Sequence, residues 1–320
     1  MNLSKKLSKN LSKNLSTFNA LKHVEHQGWM VEVSGERLLK LQQTLLGIMD
    51  DLDRVCRENG ISYFLSGGTM LGAVRHHGFI PWDDDADIFM TRADYERFRA
   101  LFPQELSSAY VLVEPGVTRD YGLSMVKVRK KGTALIECPD PMPDDEALLD
   151  GTYGVWVDIF ILENVSDNRL ARAVHGFLSM GFGFALSCRT FYSRREMYRQ
   201  LAGSDKELLK TFNTKIAIGR LLSVFKLETW ARWTKNVYSM CHDENSKNVV
   251  CPSGRNHFTG EIFPRHPFCD TKEVLFEDRK YFISKWYDGY LKQLYGDYMT
   301  VPEAAEQEAH VVRKLVLPEE

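Results

Sequence analysis

The chain has 320 residues, of which 44% are hydrophobic and 26% are charged, and its formal net charge is −2. A hydrophobic core of useful size can form, as in an ordinary soluble globular protein, and no overall field favours nucleic acid or an anionic membrane. The six cysteines include no C-x-x-C pair and do not resemble a small disulfide scaffold, so we expect a reducing cytoplasm.

The first 34 residues form a basic segment of low complexity. Leucine recurs every four residues at Leu3, Leu7, Leu11 and Leu15, each time followed by serine, with lysines in between. We predict a frayed tail here, and the alternative is a basic helix that lies on a membrane surface. No apolar stretch follows the basic start, so we expect no secretory signal.

Residues 35–165 are predicted to form a catalytic core, because helical and strand patterns alternate along them. Thr91 and Asp94 make a start like a capping box for one helix, and Gly60 ends another. An acidic loop with three prolines is predicted over 139–150. Helices are predicted over 35–59, 69–76 and 93–101, and strands over 61–65, 85–90, 110–114, 123–130, 133–137 and 155–162.

Residues 166–320 are predicted to be a helical region that ends in a segment packing on the core. The stretch 174–188 is apolar but too short, and too often interrupted by glycine, to span a membrane. We predict a buried helix there, with a membrane-touching helix as the alternative. The fold class is therefore α/β (α+β), with a mixed sheet core and a helical C-terminal half. Helices are predicted over 166–188, 206–225, 228–242 and 285–295, and a hairpin or strand over 274–283.

The first motif of chemical interest is a strand that ends in Gly67 and Gly68 and continues through Thr69 into a short helix. Glycines let the backbone approach a ligand closely, and the N–H groups at a helix start favour an anion. We predict that these three residues bind a phosphate. A plain tight turn is the alternative.

The second motif is the acidic run from Asp83 to Asp87, which leads into an apolar strand. Residues two apart in a strand point to the same side, so we predict that Asp85 and Asp87 face one site. Asp83 would contribute from the loop, and Asp84 would point away. Converging carboxylates repel one another unless a cation joins them, and oxygen ligands suit Mg²⁺. A solvated acidic turn is the alternative, which the apolar surroundings disfavour.

A third carboxylate lies far along the chain, in the otherwise apolar stretch Val155–Ile161. Burying Asp158 there without a partner would be costly. We predict that it completes the metal site or takes a proton from an attacking hydroxyl, with a paired structural aspartate as the alternative. A glycine-pair strand, a short helix, a D-x-D strand and a later carboxylate are the pattern of the nucleotidyltransferase fold.

The segment GGTMLGAVRHHGFIPWDDDADI, residues 67–88, resembles the signature of the LicD family of phosphocholine transferases, to which the fukutin-type proteins are related. The chain departs from the family at Ile161 and Glu163, where Pro and Asp are common, and at Ser284, where a proline is frequent. These departures concern the transferred group more than the proposed ligands. Further segments that resemble the family are residues 93–98, 127–129, 154–163 and 276–302.

The resemblance implies transfer of a phospho-alcohol, such as phosphocholine from CDP-choline, to a hydroxyl of a cell-surface glycan or of its lipid-linked precursor. It implies Mg²⁺, or alternatively Mn²⁺, held by Asp85, Asp87 and Asp158, with Asp83 as a further ligand, to bridge the diphosphate. Phosphate contacts are expected from Arg75, Lys127 and Arg129. For each of these three cations, the alternative role is a surface salt bridge.

Use of such an acceptor implies a cytoplasmic protein with peripheral contact at the inner face of the membrane, and no nucleic-acid partner. A choline head would favour an aromatic box, for which Trp82, Tyr121, Tyr153 and Trp156 lie near the motifs, although such residues are more often core. His310 matches a trailing family histidine, but a lone histidine in a tail is usually just solvated.

Two other functions stay open. A nucleotidyltransferase that moves a nucleoside monophosphate to a small molecule would use the same metal site. A non-catalytic glycan-binding relative would have a decayed site, and the presence of Asp85, Asp87 and Asp158 argues against it.

Overall fold

The computed structural model describes residues 28–144, 147–303, 307 and 310–318, so most of the predicted tail lies outside the described residues. The described chain forms a mixed α/β structure, which confirms the predicted fold class. The helices are α1 (Gly35–Glu58), α2 (Gly67–Arg75), α3 (Arg92–Glu105), α4 (Arg169–Ser193), α5 (Arg195–Ala202), α6 (Lys206–Leu221), α7 (Leu227–Tyr238), α8 (His257–Gly260), α9 (Arg265–Phe268) and α10 (Tyr287–Tyr295). The strands are β1 (Phe64–Leu65), β2 (Asp87–Thr91), β3 (Tyr110–Val113), β4 (Val126–Lys130), β5 (Ala134–Glu137), β6 (Trp156–Val165), β7 (Asn248–Val250), β8 (Ile262–Pro264), β9 (Thr271–Phe276), β10 (Arg279–Ser284) and β11 (Val312–Val316).

The central sheet has the strand order β1-β2-β6-β4-β3. β2 runs parallel to β6, whereas β1, β4 and β3 pair antiparallel with their neighbours. The far end of β6 pairs with β7, and β7 pairs with β8. Residues from the last third of the chain therefore extend the sheet that the first half begins.

The helices of the first half follow their predicted patterns. Leu41, Leu45 and Ile48 of α1 are fully buried, as a stripe at steps of three and four requires. At the start of α3, the Thr91 hydroxyl accepts from the Asp94 amide at 3.2 Å and donates to the Asp94 carboxylate at 2.7 Å. This reciprocal contact confirms the predicted cap.

β2 begins at Asp87, so the prediction that Asp85 and Asp87 lie two apart on one strand is wrong. The Asp83 amide donates to the Ile80 carbonyl at 2.9 Å, which closes a turn ahead of the strand. Asp85 therefore reaches the site from a loop, whereas Asp87 reaches it from a strand.

The helical region differs from its prediction in several respects. The predicted buried helix over 174–188 is part of α4, which packs against α6 and α7 but leaves Val174 49% and Phe177 79% exposed on its other side. A further helix, α5, follows it, held by a stacked contact of Tyr198 on Phe191. Nowhere in the described chain does a helix combine the length and apolar character needed to cross a membrane.

The C-terminal segment packs on the core. Phe276, Tyr281 and Tyr290 belong to the same buried cluster as Leu65 and Phe89. The predicted hairpin is confirmed as β9 and β10. β11 was not predicted, and it pairs antiparallel with β5, which returns the end of the chain to the first half. The boundary at residue 165 stays a prediction.

Glu261, which precedes β8, is predicted to make stability depend on pH. Its carboxylate is 2% exposed and accepts from the Asn256 amide at 2.7 Å. Burial raises its pKa from 4.5 to about 7. The folded state therefore holds more protons than the unfolded state between pH 4.5 and 7, and stability falls as the pH rises through this window.

We expect Glu261→Gln to remove this dependence. At each pH we compare the free energy of unfolding of the variant with that of the wild type. The difference, variant minus wild type, should be about 2 to 3 kcal/mol larger at pH 8 than at pH 5. Urea denaturation of both proteins at the two pH values measures the difference. An equal difference at both values would show that the carboxylate titrates normally in the folded state.

Candidate active site

Three charged side chains form a row across the middle of the sheet. Asp87 on β2 lies opposite Asp158 on β6, and Lys127 on β4 lies opposite Asp158 on its other side. Residues directly opposite in a sheet share a face, so the three side chains lie together. The Lys127 ammonium donates to Asp158 Oδ2 at 3.1 Å, and the Trp156 indole N–H donates to the same oxygen at 3.2 Å.

Three carboxylate oxygens of the acidic region are buried without a hydrogen-bond partner in the described chain: Asp158 Oδ1, Asp83 Oδ2 and Glu137 Oε1. Leaving a buried polar group unpaired costs about 1–3 kcal/mol, and more if it is charged. Each oxygen is therefore a vacant acceptor that a cation or a hydroxyl group can satisfy.

The glycine turn fits closely against the acidic side chains. Gly67 has a φ of +50°, and a Cβ there would lie 2.7 Å from Asp87 Oδ2, while one at Gly68 would lie 3.1 Å from Asp83 Oδ2. A Cβ at Gly67 would therefore displace the Asp87 carboxylate, and one at Gly68 would press on that of Asp83. The turn is thus part of the acidic site.

The predicted phosphate donors at the turn have different surroundings. The Gly67 amide donates to the Tyr290 hydroxyl at 3.0 Å, and the Thr69 hydroxyl accepts from the Asp87 amide at 2.8 Å. Ser66 makes no side-chain cap on α2. The first backbone bond of this helix is donated by the Met70 amide, so the amides of Gly68 and Thr69 are the ones available to an anion.

Burial and mutual repulsion shift the titration of these acids. Burial raises the pKa of Asp87 well above its usual range, and the charges of Asp85, Asp158 and Asp83 raise it further. The pKa of Asp83 rises for the same two reasons. Acids with raised pKa values that converge in one place are characteristic of functional sites.

His310 connects the acidic run to the end of the chain. Its Nδ1 lies 2.7 Å from one oxygen of Asp84, and its backbone amide donates to the other at 3.1 Å. Its Nε2 lies 3.7 Å from Asp85 Oδ2 and 3.6 Å from Glu137 Oε1. The expectation of a merely solvated tail histidine is therefore wrong.

Asp84 has a specific partner in His310, and its direction away from the row stays a prediction. It is only 5% exposed. Burial alone would raise its pKa, yet the charge and the two hydrogen bonds of His310 outweigh burial and lower it. The contact fixes the loop that presents Asp83 and Asp85.

The three predicted phosphate-binding cations lie in different places. Lys127 is in the row, and Arg129 is buried beside it, donating to the Thr152 carbonyl. Arg129 Nε has no hydrogen-bond partner among the described residues. Arg75 instead donates to the carbonyls of Tyr298 and Thr300 in the C-terminal segment.

The candidate aromatic box is not open. The Lys127 ammonium lies 3.8 Å from the ring centre of Trp156, and the Arg129 guanidinium lies 5.8 Å from that of Tyr153. Tyr121 is buried and donates to a backbone carbonyl. Two of the candidate rings, Trp156 and Tyr153, therefore already have a cation of the protein beside them.

Within the described ranges, no three His, Cys, Asp or Glu side chains converge into a ready-made metal centre. The donors of the row are carboxylate oxygens, two of them from adjacent strands. Mg²⁺ is usually bound by one or two carboxylates together with substrate phosphates and waters. The residues present thus fit a magnesium ion that takes its remaining ligands from the phosphates of a substrate and from water. The larger set of Asp85, Asp87 and Asp158 stays a prediction.

Comparison with known proteins finds a family model and several relatives that match this chain. The family model described as LicD/FKTN/FKRP, nucleotidyltransferase domain, matches residues 60–132. Over 284 residues, 87% of this chain and 97% of the relative, the sequence is 25% identical to the lipopolysaccharide cholinephosphotransferase LicD of Haemophilus influenzae. Both matches support a LicD-family protein. An uncharacterized protein of Rickettsia prowazekii is 40% identical over 72 residues, 22% of this chain and 26% of the relative.

The matched family segment contains the glycine turn, the acidic run and Lys127. Asp158 and His310 lie after this segment in the sequence, and folding brings them next to Asp87 and Asp84. Of the residues that contact the acidic run, sequence reasoning missed Glu137 and undervalued His310. A trailing histidine after a strand-poor segment was the one available signal for the latter.

We expect His310→Ala to lower the free energy of unfolding by about 2–3 kcal/mol, because it leaves the buried Asp84 carboxylate without its partner. Asp84→Asn in the same protein should restore most of the loss. Urea denaturation of the two single variants and the double variant measures the coupling. His266→Ala is the matched control, since His266 and Asp270 form an exposed pair, and its loss should stay below about 1 kcal/mol. A cost at His310 as small as that at His266 would contradict this role.

Proposed function

We propose that this LicD-family chain transfers phosphocholine, or a related phospho-alcohol, from a CDP-linked donor to a hydroxyl of a cell-surface glycan or of its lipid-linked precursor. Similarity to a lipopolysaccharide cholinephosphotransferase along nearly its whole length supports this activity. The observation on which the proposal depends is the row of Asp87, Asp158 and Lys127, with a vacant buried oxygen on Asp158.

Mg²⁺, with Mn²⁺ as a substitute, would be held by Asp87 and Asp158, with Asp85 and Asp83 contributing from the loop. When bound, it would neutralise charge on the donor diphosphate and on the leaving cytidine monophosphate. Lys127 holds Asp158 in place through its 3.1 Å contact and adds a positive charge to the site.

The chain's own residues position the two substrates. The amides of Gly68 and Thr69 and the unpartnered Nε of Arg129 would contact donor phosphates, since positioning and charge neutralisation dominate phosphoryl transfer. Arg75 would act indirectly, because it holds the C-terminal segment in place by donating to the Tyr298 carbonyl. The free Oδ1 of Asp158 would accept the proton of the attacking hydroxyl wherever it is not engaged by the metal.

Use of such an acceptor would put the reaction at the inner face of the cell membrane, in the cytoplasm. Incubation with CDP-choline, CDP-ribitol, CDP-glycerol or CDP-ethanolamine and Mg²⁺ identifies the transferred group. Release of cytidine monophosphate from one of these donors supports the proposal. Release of pyrophosphate from CTP with none from the donors would identify a nucleotidyltransferase instead.

We expect Asp87→Asn and Asp158→Asn each to lower turnover by at least about 10²-fold. Each variant removes a negative charge that would hold the cation bound to the diphosphate. Asp87→Asn should stay folded, since an amide relieves the repulsion among buried carboxylates. Asp158→Asn also removes the charge partner of the buried Lys127 ammonium, so it should lose stability. Cytidine monophosphate release measures turnover, and circular dichroism monitors the fold. Asp278→Asn, at a side chain that is 79% exposed, is the control and should be fully active. Retained activity in both site variants would remove the basis of the metal assignment.

Gly67→Ala is expected to lower kcat by about 10²-fold, because its Cβ would displace the Asp87 carboxylate that lies 2.7 Å away. Gly60→Ala is a matched control. Gly60 has a similar φ of +59° but nothing within 4 Å of its Cβ position. Both variants should lose about 1 kcal/mol of stability from the strained backbone. Equal kcat values in the two variants would show that the close approach to Asp87 is unimportant.

A further inference from the structure

The outer side of α4 presents an apolar stripe to solvent. Leu170, Val174 and Phe177 are 75%, 49% and 79% exposed, and the stripe continues through Met180 and Phe184. These positions recur at steps of three and four, so they form one face of the helix. Contiguous exposed apolar residues of this kind mark a surface that binds a protein or a membrane.

The stripe continues into a groove between α4 and α7. The groove has a volume of about 440 Å³ and an almost wholly apolar lining. At its far end the ring of Trp233 lies 5.0 Å from that of Phe225, beside the exposed Leu221 and Val224. We name the stripe, the groove and this turn the α4–α7 surface. The groove is lined by Leu178, Phe182, Trp230, Trp233, Asn236, Val237 and Met240.

The charge of this region is opposite to that of the whole chain. Residues 169–240 contain thirteen Lys and Arg residues and four Asp and Glu residues, whereas the whole chain has a formal net charge of −2. Arg169 and Arg172 flank the start of the stripe, and the exposed Arg220 and Lys226 flank the turn at its end. Residues 169–240 are therefore strongly basic, although the whole chain is nearly neutral.

We propose that the α4–α7 surface docks on a lipid bilayer that contains anionic lipids. Exposed Phe, Leu and Trp side chains between basic residues are the composition of surfaces that lie in the membrane interface. The basic residues complement anionic head groups. A second copy of the chain fits less well, because a symmetric interface would bring like charges together. The inference does not depend on which nucleotide donor the active site uses.

Flotation of the full chain with lipid vesicles tests the proposal. We expect binding to vesicles of phosphatidylcholine mixed with phosphatidylglycerol, weakened by added salt, and little binding to phosphatidylcholine alone. The double variant Phe177→Ser, Val224→Ser should bind at least tenfold more weakly. Lys226→Glu should also weaken binding by at least tenfold, because each unit of charge near an anionic surface is worth about fivefold in affinity.

The hairpin β9–β10 offers matched controls. Leu275 is 53% exposed, Lys280 is exposed, and the two are register partners. Leu275→Ser and Lys280→Glu repeat the same changes of chemistry at another surface and should bind vesicles like the wild type. Thermal unfolding confirms that every variant is folded.

Three results would overturn the proposal. The first is unchanged vesicle binding in both α4–α7 variants, which would assign the contact to another part of the chain. The second is failure of the wild type to bind either kind of vesicle. The third is a lipid-free dimer in analytical ultracentrifugation that Phe177→Ser dissociates, which would assign the surface to a second copy.

Discussion

The register of β2, β6 and β4 fixes the relative positions of Asp87, Asp158 and Lys127, and the candidate site depends on it. Side chains alternate between the two faces of a strand, so a slip of one residue would turn the charged row to the opposite face. Ile88 and Ile159 alternate with the two aspartates and are almost completely buried. Their burial thus holds two mutually repelling carboxylates side by side, where repulsion alone would drive them apart.

The other end of the acidic run depends on a contact between distant parts of the chain. β5 and β11 pair antiparallel, with Glu137 opposite Val312, which brings His310 to Asp84. Without this pairing, the loop that presents Asp83 and Asp85 would lose its fixed partner. The site is therefore assembled from a rigid half, on the strands, and a half that depends on the docking of the C-terminal segment. Arg75 strengthens that docking by binding the carbonyls of Tyr298 and Thr300.

Local patterns predicted most helices and strands well, because apolar periodicity and caps act over a few residues. The Thr91 cap and the stripe of α1 are examples. The start of β2 was predicted two residues early, because a turn ahead of the strand depends on a backbone bond to Ile80 that composition does not indicate. The meeting of Asp87 and Asp158 could be predicted from motif order. The contacts of Lys127 with Asp158 and of His310 with Asp84 instead join residues 31 and 226 positions apart, which strand pairing brings together. Pairing at such distances leaves no periodic signal in the sequence.

The helical region is joined to the active site through the loop before β4. The Thr190 hydroxyl on α4 donates to the Gly122 carbonyl at 2.9 Å, and the Asp120 amide donates to Glu228 on α7 at 2.8 Å. This loop leads directly into the strand with Lys127. Contacts from α4 and α7 thus hold the loop before β4, while exposed residues of both helices belong to the apolar surface. If that surface rests on a bilayer, these contacts would keep the charged row at a fixed orientation to the membrane. A fixed orientation would favour an acceptor that is itself anchored in lipid, because both substrates would then meet within one plane.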